Sequence, residues 1–232
     1  MTKRNPKQEG SNVWDCIPQV GPCPNNCNQC FYNRPEAFYV PIDTPLIPTP
    51  AEVGNGIVRM NCGHDSNIQR DLVIETAKQY NHFFFNTSIP DFDFPGPVVL
   101  TANPDEEKSY VSPWNVLSKT NNLMFVRLRV SSSNLDLIRA AVRDWASVDI
   151  PVVLTFMAYY EDDKVPDKEN YEWKVRHINS YYCPKESFIM DTLHKMKQIA
   201  GRNVTVCGRW CRDCRNCEMY YWRTLKHLQE IG

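Results

Sequence analysis

Gly21-Pro22-Cys23-Pro-Asn-Asn-Cys27-Asn-Gln-Cys30 closes the first stretch of this sequence that reads as a β-strand. That strand runs from Val13 to Val20, with Trp14, Ile17 and Val20 as apolar positions, and Gly21-Pro22 breaks it. Three thiols then fall within eight residues, separated by three and by two residues. A loop this short can wrap its side chains around one face of a metal cluster. Four cysteine thiolates are the usual ligand set of a 4Fe–4S cluster. Three leave one metal position open, and an open position is where chemistry takes place, as at catalytic zinc sites.

The chain has 232 residues, enough for one sizeable domain, or one domain plus a small extension. Its hydrophobic fraction of 42% and charged fraction of 23% match an ordinary globular protein. A net charge of −1 gives bulk electrostatics no claim on nucleic acid or membrane. No run approaches the ~18 apolar residues of a membrane span. No apolar core follows Met1-Thr-Lys-Arg, so no secretory leader is expected. Ten cysteines could make five disulfides, but seven of them lie in two tight groups. Bridging such near neighbours strains the bond, so the groups suit metals better and a reducing cytoplasm is the expected setting.

Beyond the cysteine loop, Pro35, Pro41, Pro45, Pro48 and Pro50 exclude a long helix and leave at most a turn at 50–54. Gly56–Asn61 reads as a second strand. A helix follows it, capped by Asp65 or Ser66, with Ile68, Leu72, Val73, Thr76 and Tyr80 on one face. His82–Asn86 is the third strand and Val98–Thr101 the fourth, joined by a segment (90–97) too rich in proline for a helix. A poorly patterned connection with a helical turn near Pro113–Leu117 leads to the fifth strand, Leu123–Val130. Leu135, Ile138, Val142 and Trp145 form a helical stripe. Ile150–Met157 is the sixth strand, 161–180 is polar, and Glu186–Ala200 is a helix stopped by Gly201. A last short strand, Asn203–Cys207, precedes a second cysteine group and a terminal helix from about Glu218 to Leu228. Strands thus alternate with helices or long crossovers six times, which is the pattern of a parallel α/β sheet. Six units cannot close an eight-stranded ring.

The spacing of Cys23, Cys27 and Cys30, just after the first strand, resembles the CxxxCxxC signature of the radical S-adenosylmethionine enzymes. The resemblance departs at Gln29, where that family usually has an aromatic residue, and in the missing helix after the loop. It implies an open, partial (β/α)6 barrel of parallel strands over residues 13–180. A flexible N-terminus (1–12) would precede the barrel, and a small cysteine-rich C-terminal extension (181–232) would follow it. It further implies a 4Fe–4S cluster on Cys23, Cys27 and Cys30, and S-adenosylmethionine chelated to the open iron. A reductant such as flavodoxin or ferredoxin would deliver one electron. Cleavage of the sulfonium would then give a 5′-deoxyadenosyl radical that takes hydrogen from a substrate. Phe31 and Tyr32 would stand in for the missing aromatic beside adenine.

Ligands of parallel α/β folds bind at the carboxyl ends of the strands. The candidates there are Cys62-Gly63-His64 after the second strand, Thr101 and Asn103 at the fourth, Ser131 at the fifth and Met157 at the sixth. Cys62-Gly63-His64 occupies the place of the family's methionine-binding turn, although His64 and Asp65 would serve equally as helix caps. Arg127 and Arg129 lie on one side of the fifth strand together with Ser131. Each needs an anion, which would be a ligand carboxylate or a neighbouring acid.

Cys207, Cys211, Cys214 and Cys217 make a complete four-thiolate set. By resemblance they would hold an auxiliary 4Fe–4S cluster, and a closed structural zinc site is the alternative. Cys183 is an alternative ligand. Arg202, Arg209, Arg212, Arg215, Arg223 and Lys226 would balance anionic thiolates. Cys16 reads as a small buried hydrophobe. His82, His177, His194 and His227 show no ligand spacing. The rival class is a non-catalytic zinc or iron–sulfur binding module that contacts nucleic acid or protein.

Overall fold

The computed structural model describes residues 4–27, 29–33, 42–104, 112–118, 120–175, 180–208 and 210–231. Pro35, Pro41, His177 and Arg209 lie outside the described residues. Nine strands are described: β1 (Val13–Cys16), β2 (Ile57–Met60), β3 (Phe83–Thr87), β4 (Val98–Ala102), β5 (Leu123–Val130), β6 (Val152–Phe156), β7 (Tyr171–Lys174), β8 (Tyr181–Pro184) and β9 (Val204–Val206). The helices are α1 (Pro50–Val53), α2 (Arg70–Ala77), α3 (Pro113–Leu117), α4 (Leu135–Ala146), α5 (Glu186–Ala200), α6 (Cys211–Cys214) and α7 (Asn216–Ile231). No described helix is long and apolar enough to cross a membrane.

Seven strands form one sheet in the order β1-β2-β3-β4-β5-β6-β9, every pair parallel. The sheet curls into a half-barrel. The expected count was six, and β9, read only as a last short strand, joins β6 as the seventh. With α5 it adds a further parallel βα unit to the same sheet, while β8 pairs with β7 in a separate two-stranded sheet.

The outer face of the sheet carries the main core. Val58, Met60, Phe85, Leu100, Val126, Leu128 and Leu154 pack there with Val73 and Ala77 of α2, Ile138, Val142 and Trp145 of α4, and Leu193 and Met196 of α5. The α4 stripe is as the sequence spaces it. In α2 the buried positions are Val73 and Ala77, with Tyr80 just beyond, while Leu72 is exposed. Gln69 in the left-handed region takes the N-cap position that Asp65 or Ser66 was expected to fill. Where the crossover from β3 to β4 has no helix, the buried Asn122 amide supplies the missing donors. Its Nδ2 donates to the carbonyls of Phe92, Phe94 and Gly96 at 3.1, 3.2 and 3.0 Å.

The inner face is filled at its amino-terminal half. Ile57, Phe84, Val99, Phe125 and Val153 pack against Tyr220 and Tyr221 of α7. The terminal helix thus lies inside the curl and covers apolar area that the absent strands would otherwise enclose. Residues 4–12, expected to be loose, are tied down from the same side. Gln8 is buried and donates to Asp15 at 2.7 Å, Asn12 donates to Glu218 at 2.9 Å, and the Arg4 guanidinium lies 4.1 Å over the Trp14 ring.

The segment 161–180, read as polar, holds part of a second, two-stranded sheet in which β7 and β8 pair antiparallel. Removing the inner aromatic anchor should be costly. Tyr220→Ala should destabilise the protein by roughly 3–5 kcal/mol, the range for buried aromatic truncation. Urea unfolding measures this, and a loss below about 1 kcal/mol would contradict the packing described.

Candidate functional site

The cysteine loop leaves the carboxyl end of β1 and is closed at its base by one side chain. Asn33 accepts from the Cys23 N–H at 3.0 Å and donates to the Cys23 carbonyl at 3.1 Å. Gly21, at φ 83°, donates to Ile42 at 2.6 Å, and Ile17 and Leu46 exchange backbone bonds of 2.7 and 2.9 Å. The proline-rich return segment therefore braces the loop from one side. Asn26 and Gln29 both take positive φ, 43° and 51°, to turn the chain between the cysteines.

On its other side the loop rests on the ends of β2 and β3 through Asp65. This buried carboxylate accepts from Asn25 Nδ2 (3.0 Å), Asn67 N (2.9 Å), Thr87 Oγ1 (2.9 Å), Ser88 N (2.7 Å) and Ser88 Oγ (2.8 Å). Five donors saturate it. Asp65 is therefore an anchor joining three segments, which the reading as a helix cap missed. The Cys62–Asp65 turn also packs under the loop. A Cβ on Gly63 would lie 2.3 Å from Tyr32 Cδ2, so only glycine fits there. Tyr32 is buried with Ile17 and Cys23, beside Cys62 and Cys30, and its ring is committed to packing. Phe31 is 44% exposed at the loop's edge. Burial lowers the pKa of His64, and its Nδ1 accepts from the Asp65 N–H at 2.9 Å, leaving the ring proton on Nε2.

Burial pushes the Cys23 thiol up to about 11, against a backbone hydrogen bond at Asn25 that lowers it. Cys27 and Cys30 are half-buried. Cys16 is buried, its pKa pushed up to about 12 by burial, in keeping with the role of a small hydrophobe.

The two strand arginines do share the inner face, and they serve different neighbours. Arg129 Nη2 reaches the Gln29 carbonyl of the cysteine loop at 3.5 Å. Arg127 Nη1 donates to Asn86 Oδ1 and Thr101 Oγ1, both at 3.3 Å. No carboxylate pairs with Arg127 among the described residues. Ser131 Oγ meets the Tyr159 hydroxyl at 2.7 Å, and Met157 is buried beside Tyr159, Tyr171 and Phe188. The backbone edge at Tyr159, just past β6, is paired with Tyr182 at 3.0 and 2.7 Å. Asn103 is buried beyond the end of β4.

The second cysteine group is built inside the curl. Cys207, Cys211, Cys214 and Cys217 line one cavity together with Arg59 and Arg127 of the sheet. Cys207 is exposed and the other three are half-buried. Gly208 is required there, because a Cβ would lie 2.9 Å from Cys214 Cβ. A hydrogen bond with Cys214 holds the Cys207 thiol well below its ordinary range, helped by the charges of Arg127 and Arg59, and it raises Cys214 in turn. Burial raises Cys211 and Cys217, with Arg59 opposing. The cations facing this cavity come from β2 and β5 as well as from the tail, whose Arg215 also lines it. Arg59 also pairs with the buried carboxylate of Asp15, its register partner across β1 and β2, at 2.7 Å. Among the described residues no three His, Cys, Asp or Glu side chains close on a point that would hold one ion. Cys183 stands apart on β8, near Glu172.

No protein-family model, curated protein or solved structure matches this chain.

Asp65→Ala strands several buried donors and should cost about 3 kcal/mol or more in urea unfolding; a cost under about 1 kcal/mol would remove its anchoring role. Gly63→Ala should displace the Tyr32 ring and speed iodoacetamide labelling of Cys23 severalfold in metal-free protein. An unchanged labelling rate would show that Tyr32 does not cover that thiol.

Proposed function

We propose that this chain is a radical S-adenosylmethionine enzyme. One observation carries the reading: a CxxxCxxC loop at the carboxyl end of the first strand of a curled parallel sheet, the end where such sheets bind ligands. The donor set fits the cofactor. Three thiols on one braced loop would hold three irons and leave the fourth to the amino and carboxylate groups of S-adenosylmethionine. An acceptor for the amino group is at hand. Asn61 is buried just beyond β2, and its Oδ1 has no hydrogen-bond partner among the described residues. A buried orphan acceptor is costly unless a ligand donor meets it.

A reduced cluster held there would supply one electron for reductive cleavage of S-adenosylmethionine. The protein's part is to bind and to shield. Cys23, Cys27 and Cys30 act as thiolates. Asp65, Asn25 and Ser88 fix the loop to the sheet, and Arg129 ties its Gln29 carbonyl to β5. Ser131 and Tyr159 close the rim between β5 and β6. The substrate that yields hydrogen would lie at the carboxyl end of the half-barrel.

The tail cysteines support a second metal centre. Their C-x2-C-x2-C run, Cys211 to Cys217, is that of ferredoxin-type 4Fe–4S ligation, and a closed zinc site is the competing occupant.

Anaerobic purification, iron and zinc assay, and incubation with dithionite and S-adenosylmethionine test the reading. The wild type should be brown, carry about eight irons if both centres are 4Fe–4S, and release 5′-deoxyadenosine. Cys27→Ala should abolish that release and keep the tail metal. A colourless wild-type protein holding only zinc and releasing no 5′-deoxyadenosine would sink the proposal.

A further inference from the structure

Beyond β6 the chain builds a small outwork on the carboxyl end of the sheet. Met157, Tyr159, Tyr171 and Phe188 form its core, and Tyr159 pairs with Tyr182 to hang the β7–β8 hairpin from it. Outside that core is a recess of about 540 Å³ lined by Tyr160, Trp173, Tyr182 and Asp162. The Trp173 and Tyr182 rings stand 4.8 Å apart at 57°, and Trp173 is 49% exposed. The Asp162 carboxylate accepts from the Tyr182 hydroxyl and from the Lys168 ammonium.

We propose that this recess is a binding site for an organic cation bearing a methylated ammonium group. Three aromatic side chains line it, aromatic faces attract such a cation, and the Asp162 carboxylate stands at the rim, paired with Lys168. Lys168 already sets an ammonium on that carboxylate and would compete with a bound cation for it. The volume is that of a small-molecule site.

Aromatic surfaces also stack nucleobases, but the local charge argues against it. Over residues 160–175 the acids Glu161, Asp162, Asp163, Asp167, Glu169 and Glu172 outnumber Lys164, Lys168 and Lys174 by six to three, which repels phosphate. Parallel strands share one carboxyl end, so the recess lies on the same end of the sheet as the cysteine loop. The proposal does not depend on the loop's chemistry.

Calorimetric titration of the full-length protein tests it, with choline, a trimethyl-lysine peptide, and the neutral choline isostere 3,3-dimethylbutanol. Choline or the peptide should bind saturably, and whichever binds more tightly names the source of the cation. The neutral alcohol should not bind. Asp162→Asn should weaken binding about five- to tenfold. Trp173→Leu should abolish binding, Trp173→Phe should retain it, and Lys168→Gln should tighten it by freeing the carboxylate. Circular dichroism confirms that each variant is folded. Equal binding of the neutral alcohol would reduce the recess to an apolar dent and overturn the proposal. So would cation binding that ignores Asp162→Asn and Trp173→Leu, or binding of a single-stranded oligonucleotide in place of choline. Running the titration on Cys27→Ala as well separates this result from the fate of the enzyme reading.

Discussion

The carboxylate of Asp65 is the constraint on which the candidate site depends. A buried charge is tolerated only when its lone pairs are met, and here five donors from three chain segments meet them. Those segments are the cysteine loop through Asn25, the turn after β2 through Asn67, and the end of β3 through Thr87 and Ser88. A loop of three thiols has little apolar surface of its own. Its geometry must therefore be imposed by the sheet, and Asp65 carries out that imposition with Asn33 closing the loop behind it.

The inner face of the half-barrel divides along its strands. Toward the amino ends it is apolar and sealed by the aromatic side of α7. Farther along it becomes polar. Arg59 of β2 and Arg127 and Arg129 of β5 project there, the two-residue step from Arg127 to Arg129 keeping to one face. Arg127 looks toward the tail thiols and Arg129 toward the loop thiols, so a single strand addresses both cysteine groups. A guanidinium whose hydrogen-bond partners are neutral, as at Arg127, is best accounted for by negative charge on Cys207, the tail thiol held below its ordinary range.

Much of this was legible in the sequence where the signal is local. Buried parallel strands read as unbroken apolar runs, so Phe83–Phe85, Val98–Leu100, Leu123–Val126 and Val152–Leu154 were recognisable. The helix-less crossover followed from Pro90, Pro95 and Pro97. Strand alternation set Arg127 and Arg129 on one face before any contact was known. Other features gave no local signal. Tyr171–Lys174 and Tyr181–Pro184 are half-polar because one side of their hairpin faces water, and a mixed run does not announce a strand. The inner position of α7 was hidden because an amphipathic helix shows that it has a buried face but not what covers it. Asp65 looked like a cap because Asp before a helix usually is one.

The amino-acid sequence by itself determined the α/β class, the thiol spacing that restricts what Cys23, Cys27 and Cys30 can bind, and the glycine and proline breaks that separate the strands. These depend on neighbours a few residues apart. Only the tertiary structure decided that β9 extends the sheet, that the tail cysteines turn into the curl to face Arg59 and Arg127, and that residues 4–12 and α7 close its floor. Those outcomes depend on contacts between residues up to 206 positions apart, as between Asn12 and Glu218. Such contacts are selected by which surfaces remain uncovered once the sheet has formed, and no short window of sequence carries that information.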